Sequence, residues 1–111
     1  MNNFIVTPDD ETIKEISGYK FVLRPMTARE FFSKAFLLTN LGTKLSKGET
    51  LNEKELNNTF SFLASMIKYI ENVESKIDAE FLYNFKPGVI LELIKTISEM
   101  ITLTEPEKSF R

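Results

Sequence analysis

The chain switches its hydrophobic period between Tyr19 and Glu30, and that switch restricts it to folds in which a short β element feeds directly into a helix. Tyr19, Phe21 and Leu23 alternate with Lys20, Val22 and Arg24, a period of two that places three large apolar side chains on one face of a strand. Pro25 has no N–H for a β ladder and ends the strand. Met26-Thr27-Ala28-Arg29-Glu30 then reads as a helix entry. The Thr27 hydroxyl can accept from the N–H of Glu30 while the Glu30 side chain reaches back, and Met26 is placed to pack against Phe31. Upstream, Thr12 to Ile16 supplies the other arm of a β-hairpin, with Ser17-Gly18 at the turn, where glycine accepts a positive φ.

The remaining pattern is helical. A first helix is expected from Ala28 to Leu41, with Gly42 as the left-handed residue after its end, and Thr43 to Thr50 as a polar loop. A second helix opens at Leu51 or Asn52 and runs to Val73, with Leu56, Phe60, Leu63, Met66, Ile67, Ile70 and Val73 on one arc. Asp78 caps a short helix, Ala79 to Phe85. Pro87 suits the first turn of a final helix from Gly88 to Leu103, whose apolar face is Val89, Ile90, Leu93, Ile94, Ile97, Met100 and Ile101. Phe4-Ile5-Val6 is at best an edge strand, because Pro8 and Asp9-Asp10-Glu11 follow it as an acidic turn. The expected fold is α+β, mostly α: a short N-terminal β-hairpin followed by a bundle of three to four helices. A length of 111 residues suits one domain, divided into a hairpin region at 1–26, a helical bundle at 27–103 and a flexible tail at 104–111.

Composition removes several kinds of chemistry. There is no His and no Cys. The usual general base near neutral pH is therefore missing, as are thiolate nucleophiles, disulfides and the ligands of a structural zinc site. Four scattered Gly residues make no phosphate cradle, and Asp9-Asp10-Glu11 lacks the spacing of a calcium loop. No enzyme and no cofactor are expected. A net charge of −2 with dispersed cations argues against nucleic acid. No apolar run is long enough to span a bilayer, and Met1 to Val6 has neither the charged start nor the long apolar stretch of a signal peptide. A soluble intracellular protein with no membrane partner is the expectation.

Ten Phe residues in so short a chain have to anchor a core or an interface, and the first helix concentrates them. Phe31, Ala35 and Leu38 form one face; Phe32 and Phe36 widen it on one side, Leu37 and Leu41 on the other. A helix apolar on most sides has to be buried on most sides. Two arrangements satisfy that: a central core helix, or a helix with one side in the domain and the other against a second subunit or a partner. Phe31, Phe32, Phe36, Leu37 and Leu41 are accordingly the candidate partner-binding or self-association residues. Arg24 reads as a strand-end surface charge in preference to a partner for Glu30, since exposed ion pairs contribute little.

The stretch Gly18-Tyr19-Lys20-Phe21-Val22-Leu23-Arg24-Pro25-Met26-Thr27-Ala28-Arg29-Glu30 resembles the opening of small phage tail assembly chaperones, in which a short strand ends in an Arg-Pro-apolar-Thr pattern before an acidic helix start. The long amphipathic helix and the segment Asp78-Ala79-Glu80-Phe81-Leu82 before a final helix are similar in outline. The resemblance implies a non-enzymatic adaptor in the cytoplasm of a host bacterium. Such an adaptor coats the apolar, helical tape measure protein, or another tail protein, before tail-tube subunits polymerise around it. Other small tail or baseplate proteins share a similar helix entry, so a structural subunit retained in the virion is the alternative. A small host-directed regulatory binding protein is a third.

Overall fold

The hairpin forms where the alternating pattern puts it. In the computed structural model, which describes residues 11–103 and side-chain environments as far as Met100, strand β1 (Thr12–Ile16) pairs antiparallel with β2 (Tyr19–Leu23). Ser17 and Gly18 both take positive φ, 54° and 84°, the geometry of a tight two-residue turn whose twist matches that of the strands. The expected Phe4–Val6 strand and the tail at 104–111 lie outside the described residues.

Among the described residues the further elements are helices and one more strand: α1 (Ala28–Lys34), α2 (Phe36–Ser46), α3 (Glu53–Met66), β3 (Ile67–Ile70), α4 (Ala79–Tyr83) and α5 (Pro87–Leu103). The class is α+β, mostly α. Ala35 keeps helical backbone angles between α1 and α2 (φ −61°, ψ −25°), so these two segments are successive parts of one bent arm, and the helical layer has four units.

Strand β3 corrects the expectation of a single helix from Asn52 to Val73. The helix stops at Met66, where Ile67 turns to extended angles (φ −89°, ψ 115°). Ile67–Ile70 then pairs antiparallel with β2, making a sheet of order β1-β2-β3 with a bulge opposite Val22 and Leu23. The sheet explains the change. A helix continued to Val73 would leave the second edge of β2 unpaired, whereas the strand satisfies it, and Arg24 N–H to Met66 O and Glu71 N–H to Lys20 O, both 2.9 Å, extend the pairing at each end. Asn72 closes the segment in the left-handed region (φ 68°), which Asn tolerates better than most residues.

Other boundaries also move. Gly42 lies inside α2 and does not terminate it; the helix runs on to Ser46, and Gly48 (φ 73°) takes the positive φ beyond its end. Thr43–Ser46 is therefore helix where loop was expected, and α4 ends at Tyr83, two residues short of Phe85. Both expected caps form. Thr27 makes a reciprocal capping box with Glu30, and Asp78 accepts from the Phe81 N–H. Asn52 with Glu55 adds a second capping box at the start of α3.

The core runs through β1, β2, α2, α3, β3, α4 and α5, with Leu23, Phe62, Leu63, Met66, Leu82, Leu93 and Ile97 fully enclosed. α5 buries Ile90, Leu93 and Ile97 and exposes Glu92, Lys95 and Glu99, as its periodicity requires. On β2, Phe21 and Leu23 are buried, but so is Val22, which lies between Ile13 and Tyr69 across the sheet, while Tyr19 beside the turn is exposed. α3 is buried over a wider arc than the pattern indicates: Thr59, Phe62 and Ala64 join Leu63 and Met66, whereas Leu56 and Phe60 are only partly covered. It packs against α2, α4 and β3, so more than one of its sides is inside.

Thr59 is a cost within this core. Its hydroxyl oxygen is buried without a hydrogen-bond partner among the described residues, and an unpaired buried hydroxyl loses its hydration with nothing in exchange. Thr59→Val keeps the shape and removes that loss. It is expected to raise stability by about 1 kcal/mol, read as a higher urea midpoint at unchanged slope.

Candidate functional site

The bent arm of α1 and α2 carries the candidate surface, and its placement follows from the end of β2. Arg24 ties three elements together there. Its backbone N–H continues the β2 to β3 ladder onto Met66, its Nε donates to the Ser65 carbonyl in the last turn of α3, and its guanidinium grips both carboxylate oxygens of Glu30 in the first turn of α1, at 2.9 Å for Nη1 to Oε1. Each charge also suits its helix end, a cation at the carboxyl end of α3 and an anion at the amino end of α1. Arg24 is thus a junction residue and not the isolated surface charge expected from sequence. The geometry is bidentate and half-buried, which is where such pairs gain strength.

The Arg24 hydrogen bond, with the Thr27 N–H adding to it, holds the Glu30 carboxyl down to about 2 against an ordinary 4.5, although its partial burial opposes the shift. A folded-state value below the unfolded one means that the ionised carboxylate stabilises the fold above about 4.5, and that this contribution drains away as pH falls from there toward 2. Thermal midpoints between pH 6 and pH 3 are expected to fall further for the native chain than for Glu30→Gln, which has no such proton to take up.

At its far end the arm is held by Glu55. The carboxylate receives the Lys44 ammonium at 2.9 and 3.0 Å and the Asn40 amide at 3.4 Å while also closing the α3 capping box. Lys44 is the main reason its carboxyl sits below the usual range.

Between these two ties the five predicted residues divide. Leu37 and Leu41 are buried, along with Leu38, and face the domain; they are corrected from partner-binding candidates to interior residues. Phe32 is 82% exposed, Phe36 62% and Phe31 38%, and α1 contains no buried residue at all. Phe31 and Phe32 stack edge to face, ring centres 5.1 Å apart, so they cover part of each other without reaching the core. Leu37 and Leu41 lie roughly opposite Phe32 and Phe36 round the helix, so sinking one pair exposes the other. Leaving Phe32 and Phe36 in water forgoes roughly 1.5–3 kcal/mol for each ring that burial would supply.

An open concavity lies between the sheet and the α4–α5 corner. Its volume is about 370 Å³, and it is lined chiefly by Phe21, Ile70, Val73, Phe81, Phe85 and Val89. Phe85 meets both Phe21 and Phe81 edge to face, at 6.3 and 5.1 Å. Sequence reasoning did not anticipate this cleft, because β3 forms one of its walls. Its lining is apolar, with Ser17 and Lys86 as polar additions.

No helix among the described residues is long and apolar enough to cross a membrane. No protein-family model matches this chain, and no curated protein or solved structure matches it.

Proposed function

We propose that this chain is a non-catalytic protein-binding module, and that it serves as a tail assembly chaperone which holds the tape measure protein of a phage until the tail tube forms around it. The observation that carries the reading is the pair of exposed rings, Phe32 and Phe36, one turn apart on an arm whose first helix buries nothing. Exposed aromatic surface held on a braced element marks an interaction site more often than an accident of folding. The likeness of Gly18 to Glu30 to the chaperone opening supplies the class of partner, and a short helix offering apolar side chains suits capture of an amphipathic helix.

Co-expression with the tape measure protein followed by pull-down tests the reading. A soluble complex that Phe32→Asp disrupts supports it; a tape measure protein that aggregates regardless of this chain overturns it. Mass spectrometry of purified virions separates the two tail roles, because an assembly factor is absent from the finished particle and a structural subunit is present.

A further inference from the structure

The charges around the exposed rings specify the partner more closely than hydrophobicity does. Round α1 the order is Lys34, Phe31, Ala28, Phe32, Arg29, so a cation stands on each side of the Phe31–Phe32 pair. Arg29 and Lys34 are both exposed, and neither side chain has an ion pair or hydrogen bond among the described residues. Glu30, the acid nearest to them in sequence, is occupied by Arg24. The arm, Ala28 to Ser46, holds Arg29, Lys34 and Lys44, the last paired with Glu55, against the single acid Glu30, a local balance of +2; the whole chain carries −2, so everything outside the arm carries −4. The arm is a basic island in an acidic molecule.

We infer that the exposed Phe31–Phe32–Phe36 arc receives an amphipathic helix whose apolar stripe is bordered by acidic residues, with Arg29 and Lys34 pairing those acids on either side. This rests on reading the arc as a docking surface. Rings at the centre supply the affinity, and exposed cations at the rim choose the partner and its orientation. An anionic membrane offers similar chemistry, but α1 has only seven residues, and Leu37, Leu38 and Leu41 are committed to the interior. The arm therefore has no long apolar face to sink into lipid.

The test uses the full chain and three fluorescent helical peptides that share one leucine stripe, bordered by Glu, by Gln or by Lys. At low salt the Glu-bordered peptide is expected to bind about tenfold more tightly than the Lys-bordered one, with the gap closing as salt rises. Arg29→Glu with Lys34→Glu is expected to reverse the order; both positions are exposed, so the fold persists. Equal affinity for the three peptides overturns the inference. So does binding to phosphatidylglycerol vesicles without binding to any peptide, or concentration-dependent dimerisation through Phe32 in a chain that ignores all three. If the tape measure protein is not captured but the Glu-bordered peptide is, the proposed function fails and this inference stands. If that protein is captured while the three peptides bind alike, the proposed function stands and this inference fails.

Discussion

Phe32→Asp combined with Phe36→Asp is expected to weaken partner capture by at least about thirtyfold, the loss that follows from removing a central aromatic hot spot worth about 2 kcal/mol. The folded chain itself should hardly notice. Both rings are mostly in water, and exposed substitutions usually change stability by within about 0.5 kcal/mol. The helical circular dichroism signal and urea midpoint of the double variant should therefore match those of the native chain while binding is lost. Leu37→Asp is the opposing control. That side chain is buried, and a charge placed there has no partner, so the expected result is unfolding and not selective loss of binding. If the double variant and the native chain captured the proposed partner equally well, the arm would not be the docking surface.

Phe62→Ala carries the largest expected loss of stability, about 3–5 kcal/mol. Phe62 is 2% exposed and is the bulkiest of the enclosed side chains. It sits on α3 within the main hydrophobic core, where the surroundings relax only in part around the cavity that truncation leaves. Against a total of roughly 5–15 kcal/mol for a domain of this size, that is a fifth of the stability or more. Urea unfolding should show a much lower midpoint at similar slope. Phe32→Ala, with the same change of atoms at a ring 82% exposed, should leave the midpoint nearly in place. Two phenylalanines of one chain then differ by several kcal/mol through burial alone.

Much of the architecture is legible in the order of residues alone. The strand alternation at Tyr19–Leu23, the Thr27 and Asp78 caps and the periodic face of α5 all depend on neighbours within a few positions, so sequence contains them. β3 is different. Ile67, Ile70 and Val73 fit the apolar face of a helix as well as they fit a strand. Ile67, Tyr69 and Ile70 are strand formers that could have raised suspicion, but what decides is the unpaired edge of β2, more than forty positions away by the pairing of Val22 with Tyr69. The width of the buried arc on α3 was hidden for the same reason: it reflects how many elements close on that helix.

The candidate site shows the same division. Composition and spacing alone establish that the helix after Pro25 has more apolar circumference than one packing face can cover, and that this chain lacks the His and Cys on which much site chemistry relies. They cannot say which side goes in, because Leu37 with Leu41 and Phe32 with Phe36 are nearly equal candidates for burial. The tertiary structure makes the choice. Arg24, hydrogen-bonded to the end of α3, fixes where Glu30 and the start of α1 lie, and Lys44 on Glu55 fixes the far end of the arm. With the arm joined to α3 at both ends, Leu37, Leu38 and Leu41 complete the core, and Phe32 and Phe36 are left facing water.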